Sequence, residues 1–99
     1  MNFYVYLVIS KINNKYISYV GYTKNLNNRL KSHNTGKGAK FTKGKKWVLI
    51  YKKRYKSKSE AMTNEYKLKK NSSKRKKIKQ KYLSSLWEYQ FYYHIKKTL

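Results

Sequence analysis

Arg29 and His33 stand four residues apart in YISYVGYTKNLNNRLKSHN (residues 16–34), in a chain that carries nearly all its other positive charge on lysine. A guanidinium offers a planar fork that can clamp two phosphate oxygens, which an ammonium cannot. An imidazole can take up and release a proton near neutral pH. Tyr6 and Tyr19 add two phenols, and Glu65 adds one of only three carboxylates, with Glu60 and Glu88. An anion clamp, a proton acceptor, phenols and a lone carboxylate suit the breaking of a phosphodiester bond. That reaction needs an activated water, stabilisation of the charge on phosphorus, and help for the leaving oxygen. Plainer readings stand beside this one. Taken alone, Tyr6 and Tyr19 fit core aromatics better. Arg29 fits a surface cation, and His33 a cation at a helix C-terminus. Glu65 fits an ion pair with one of many lysines.

The charge balance narrows the partners. There are 26 Lys+Arg against 3 Asp+Glu, a formal net charge of +23. A field of that strength repels itself until a polyanion neutralises it. Nucleic acid is the first partner this implies, and an anionic membrane or a ribosome the next. AT-rich coding accounts for much of the lysine, but not for the near absence of acids. The chain has no cysteine, so disulfides and Cys-based metal sites are excluded. No apolar run approaches the ~20 residues of a membrane-spanning helix, and the N-terminus lacks a signal-peptide pattern. The expected setting is intracellular, cytoplasmic or nuclear, with no membrane partner and no small-molecule cofactor.

These residues must be held by a small frame. FYVYLVIS (3–10) and YISYVGYT (16–23) read as strands, with Asn13-Asn14 as a two-residue hairpin turn between them. That centre places Tyr6 opposite Gly21 and Tyr19 opposite Val8, so the two tyrosines become diagonal neighbours on one face. Residues 25–34 read as a short helix capped by Thr23 or Asn25, with Leu26 and Leu30 inward and Arg29 and His33 on the adjoining face. A Gly/Lys loop follows (35–46), then a third strand (47–55). Ser57 and Glu60 have capping-box spacing, which predicts a helix from about 58 to 70 with Ala61, Glu65 and Leu68 on one stripe. In the tail, Ile78, Tyr82, Leu86, Tyr89 and Tyr93 recur at helical spacing and predict one or two helices; Glu88 and His94 read there as ordinary helix residues. The fold class is α+β: a three-stranded, mainly antiparallel sheet flanked by helices.

Tyr4-Val5-Tyr6, twelve residues, then Tyr19-Val20-Gly21 resembles the paired motif of the GIY-YIG endonuclease superfamily. The segment YVGYTKNLNNRLKSHN is similar to that family's strand-to-helix segment. TGKGAKFTKGKKWVLIY resembles the loop and third strand of its small single-domain members, and SKSEAMTNEYKLKK the helix that carries their metal-binding acid. The resemblance covers residues 3–71, a nuclease-like domain at 1–71, and leaves 72–99 as a basic, aromatic helical extension packed on the same domain. It departs from the pattern at Tyr4, where the family motif begins with Gly, and at Tyr22, where the excinuclease branch carries Lys. The resemblance implies a divalent cation, Mg²⁺ with Mn²⁺ as its substitute, held by Glu65. It implies Arg29 as the phosphate clamp and Tyr6 or Tyr19 as the proton-transferring phenol, a role on which family members differ; Tyr6 is favoured because His33 could take its proton, with Tyr19 then orienting water or phosphate. Lys24, Lys37, Lys40, Lys43, Lys45 and Lys46 are expected along the nucleic-acid backbone. The expected function is a metal-dependent DNA endonuclease of weak sequence specificity or structural preference, with RNA left open. The alternative is a basic nucleic-acid-binding protein without catalysis.

Overall fold

The computed structural model describes the backbone of residues 1–98 and the side chains of residues 1–86. The expectations on Glu88, Tyr89, Tyr93 and His94 lie outside the described side chains. Two long strands, β1 (Phe3–Ile12) and β2 (Lys15–Thr23), form an antiparallel hairpin. Asn13 and Asn14 turn it with φ of 50° and 66°. Paired positive φ values belong to the turn whose twist matches that of a two-residue hairpin, and asparagine tolerates them. The pairing runs from Tyr4 opposite Thr23 to Ile12 opposite Lys15, so Tyr6 faces Gly21 and Val8 faces Tyr19, as the turn predicts.

The third strand, β3 (Val48–Tyr55), pairs antiparallel with β1 on its other side, giving the order β2-β1-β3. The sheet is wholly antiparallel. Between Leu7 and Val8 the partner on β3 jumps from Tyr51 to Leu49, a bulge that leaves Ile50 unpaired. Ile50 and Tyr51 then both turn toward the same core, while Leu49 turns toward the other.

As the central strand, β1 is covered on both faces, which is why its sequence reads as a nearly unbroken apolar run rather than an alternation. Phe3, Val5 and Leu7 pack with Val20, Ala61 and Leu68 on one face. Tyr6 and Val8 pack with Trp47 on the other, beside Ile17, Tyr19, Leu26, Leu30 and Leu49. Full burial of residues such as Val5 and Leu7 contributes about 1.5–3 kcal/mol each.

The helices supply the two covers. Helix α1 (Leu26–Asn34) begins at Asn25, whose side chain accepts from the Asn28 N–H at 3.1 Å, and Asn25 rather than Thr23 is the cap. Helix α2 (Lys58–Lys70) begins at Ser57, whose Oγ accepts from the Glu60 N–H at 3.1 Å. Asn71 ends α2, and its side chain accepts from the Lys74 N–H at 3.0 Å, starting α3 (Ser72–Thr98). Of the one or two helices expected in the tail, the structure has one. Arg75 ties it back by donating to the Leu68 and Lys69 carbonyls at the end of α2, where a cation is favoured. Ile78 adds to the core beneath α2. Among the described residues, no helix is long and apolar enough to cross a membrane.

Candidate active site

Tyr6 is nearly inaccessible, and the reason is local. Its ring crosses the sheet over Gly21 on the neighbouring strand. A Cβ at that position would collide with the Tyr6 hydroxyl and stand 2.6 Å from Cζ. Glycine therefore provides the room that lets the phenol reach α1, where its Oη meets His33 Nε2 at 2.7 Å. Arg29, one turn earlier on the same helix, donates from Nε to the same oxygen at 3.4 Å. The i, i+4 spacing visible in the sequence thus converges on one phenol oxygen.

Tyr19 stands beside this junction. Its ring centroid is 6.5 Å from that of Tyr6 and 5.1 Å from the His33 ring, which it meets edge-on. On its far side it stacks on Phe41 at 6.3 Å and meets Trp47 at the same distance. Phe41 is half exposed, so an aromatic row runs from the buried junction to the surface.

The electrostatics follow from burial and from one cation. Burial raises the Tyr6 pKa and outweighs the opposing pull of the Arg29 hydrogen bond and charge; the Tyr19 and Glu65 charges add to the rise. Burial also lowers the pKa of His33, and the Arg29 charge lowers it further. Arg29 is itself held more firmly protonated by its hydrogen bond to Tyr6. At rest the site therefore holds a protonated phenol, a neutral imidazole and a fixed positive charge.

Glu65 lies on α2 between the buried Ala61 and Leu68, on the stripe read from the sequence. Its side chain is 15% exposed, and its carboxylate pairs with Lys69 Nζ at 2.6 Å across one turn. Among the described residues no group of three or more His, Asp or Glu side chains gathers. A cation here would have one protein carboxylate and would complete its shell elsewhere.

The expected backbone-binding lysines fall into two groups. Lys24 lies just before α1, with Nζ 5.5 Å from the Phe3 ring. Lys37, Lys40, Lys43 and Lys46 are exposed along the loop between α1 and β3. Lys45 is folded back instead. Its Nζ donates to the Phe41 carbonyl at 2.9 Å and lies 5.1 Å from the Phe41 ring.

Several residues of the site carried no sequence signal. Thr42, in a one-turn 3₁₀ segment (Lys40–Thr42), is fully buried with its hydroxyl 2.9 Å from His33 Nδ1. Trp47 donates from its indole N–H to the Thr42 carbonyl at 3.0 Å. Asn34 grips the Trp47 backbone, accepting its N–H at 2.6 Å and donating to its carbonyl at 3.1 Å. Among the described residues every buried side-chain nitrogen and oxygen has a partner.

Comparison with known proteins shows the family. Residues 2–82 match the family model described as the GIY-YIG catalytic domain. A UPF0213 protein of Staphylococcus haemolyticus is 47% identical over 77 residues, which are 77% of this chain and 89% of that protein. One from Bacillus subtilis is 44% identical over 78 residues, 78% of this chain and 76% of its own. The solution structure of a UPF0213 protein from Bacillus halodurans is 38% identical, covering 87% of this chain and 85% of that one, with a TM-score of 0.41. The matched span takes in both strands of the hairpin, α1 and α2, and on that match the chain belongs to the GIY-YIG catalytic domain family and, within it, to the UPF0213 proteins.

Proposed function

We propose that this chain is a divalent-metal-dependent endonuclease that hydrolyses phosphodiester bonds in DNA, with residues 72–99 as a helical extension of the nuclease domain. The observation that carries the reading is the Tyr6 hydroxyl, shared by His33 Nε2 at 2.7 Å and Arg29 Nε at 3.4 Å. A phenol buried between a neutral imidazole and a guanidinium is placed to pass protons.

A free phenol of pKa ~10 is a weak base, and burial makes Tyr6 weaker still. Tyr6 therefore works as a relay rather than as a standing phenolate. It receives the proton of the attacking water as its own proton passes to His33 Nε2. The hydroxide equivalent bonds to phosphorus as the P–O bond to the leaving oxygen breaks, that oxygen takes a proton from solvent, and His33 returns its proton to solvent. Arg29 steadies the phenolate character and reaches non-bridging phosphate oxygens with its remaining N–H groups. Tyr19 orients water or phosphate at the exposed side of the junction.

Glu65 fits Mg²⁺ or Mn²⁺ because one hard carboxylate suffices for a cation that keeps several waters and binds substrate oxygens. Lys69, half exposed, can swing to solvent when a cation replaces it. Bound there, the ion supplies Lewis-acid stabilisation of phosphate charge. Exposed lysines bind the backbone, which positions a duplex without reading its sequence. Weak sequence preference and a preference for branches or flaps are the expected result. The Lys69–Glu65 pair also fits the rival reading, a binding protein in which Glu65 only balances charge.

Plasmid nicking separates the two. Wild type should nick in Mg²⁺ and not in EDTA, Glu65→Ala should not nick in Mg²⁺, and Tyr6→Phe should lose about 10²–10⁴-fold. Gel retardation without cleavage across plasmid, flap, branched and RNA substrates would leave the binding protein.

A further inference from the structure

Thr42 carries no charge, yet it is fully buried against His33. Its hydroxyl has one proton, and Thr42 Oγ1–H donates it to the Ala39 carbonyl at 2.7 Å. The Thr42 backbone N–H donates to the same carbonyl at 2.9 Å and holds it in place. With its proton on that carbonyl, Thr42 Oγ1 faces His33 Nδ1, 2.9 Å away, as an acceptor, an arrangement that favours the hydrogen on Nδ1. A neutral imidazole has a single N–H. Nε2 is then bare, its lone pair directed at the Tyr6 hydroxyl 2.7 Å away, and Tyr6 is the donor.

We propose that Thr42 is a positioning residue that fixes His33 as the Nδ1–H tautomer, so that Nε2 is always the nitrogen free to take the Tyr6 proton. The proposal rests on the reading of Tyr6 as the proton relay. It explains why the loop is built as it is. Gly38 lies so close over the pair that a Cβ would stand 2.6 Å from His33 Nδ1 and 3.1 Å from Thr42 Oγ1. The Trp47 indole holds the Thr42 carbonyl from the other side, and Asn34, next to His33 on α1, holds Trp47. Helix and loop thus converge on the orientation of one hydroxyl. With the opposite tautomer, the Thr42 hydroxyl would have to give up the Ala39 carbonyl and turn its proton to Nδ1.

The test reads the nitrogens directly. Long-range proton–nitrogen spectra of the full chain labelled with ¹⁵N-histidine report which ring nitrogen of His33 bears hydrogen, with His94→Gln removing the other histidine. Wild type and Thr42→Ser should show Nδ1 protonated and Nε2 bare. Thr42→Val, which keeps the shape and removes the acceptor, should move His33 toward Nε2–H with the amide spectrum preserved. Mg²⁺-dependent nicking should fall about 10²-fold in Thr42→Val and recover in Thr42→Ser. A bare Nδ1 in wild type overturns the proposal, as does a Thr42→Val protein with unchanged tautomer and unchanged nicking. Should Thr42→Val fail to fold, wild type and Thr42→Ser decide. Should wild type cut nothing, the endonuclease reading falls, and the tautomer spectra still decide the role of Thr42.

Discussion

The neutral imidazole at the centre of the site ties stability to pH. Unfolded histidine titrates near 6.5. In the fold, burial first and the Arg29 charge second hold His33 neutral to lower pH. Between those two values the unfolded chain binds more protons than the native one. The stability His33 contributes is therefore complete above about pH 6.5 and is lost as pH falls through its folded value. In most proteins carboxylates mask such an effect, because their protonation dominates acid unfolding. Here there are only 3 Asp+Glu in 99 residues, so the histidine should stand out. Urea midpoints measured from pH 7.5 down to 5 should fall for wild type and stay flatter for His33→Gln, whatever that variant loses at neutral pH. An equal slope in both would place the titrating group elsewhere. Nicking should fall over the same interval, because a protonated His33 has no lone pair for the Tyr6 proton.

The hairpin turn is the smallest element on which the whole site depends. Its two positive-φ asparagines set the register that puts Gly21 under Tyr6. A slip of one residue would turn Tyr19 to the other face of the sheet. Asn14→Ala should destabilise by about 1–2 kcal/mol, because a Cβ without a local hydrogen-bonding group is penalised in the left-handed region. Asn14→Gly should equal or exceed wild type. Urea melts of the pair check this, and equal stability of the two variants would remove the turn as the register's anchor. What was legible in the chain follows the same division. Strands, register, the Ser57 cap and the Arg29/His33 pair were readable because each rests on residues a few positions apart. The bulge at Ile50, the loop folded over His33 and the role of Thr42 were not, because they depend on where residues 35–47 run across a sheet face formed by distant strands. Thr42 sits among lysines in a loop that reads as a basic strap, and nothing in its neighbours announces a buried hydroxyl. The bond from Lys45 Nζ to the Phe41 carbonyl was equally out of reach, since it depends on how the loop folds back on itself.

At the scale of the molecule, 26 cationic side chains share 3 acids, and the Glu65–Lys69 pair offsets little of that field. Such a field predicts two salt effects of opposite sign. Screening relieves self-repulsion, since the Debye length shrinks to about 10 Å at 0.1 M, so the melting temperature should rise with NaCl. The same salt should weaken DNA binding steeply, because each neutralised phosphate contributes a slope of about −0.9 in log K against log salt. With about six phosphate contacts, affinity should fall about 10³-fold between 50 and 200 mM. A general field and a built binding surface differ in how that slope responds to substitution. Lys40 and Lys43 are exposed on the loop beside the half-exposed Phe41, close to the Tyr6 junction. If each meets a phosphate, Lys40→Ala with Lys43→Ala should make the slope shallower by about two. The exposed pair Lys76 and Lys77 on α3 removes the same formal charge when replaced by alanine. Equal changes from the two double variants would mean that the charge acts as a diffuse cloud. A change confined to the loop pair would mean that DNA lies across the face where Tyr6, His33 and Arg29 meet.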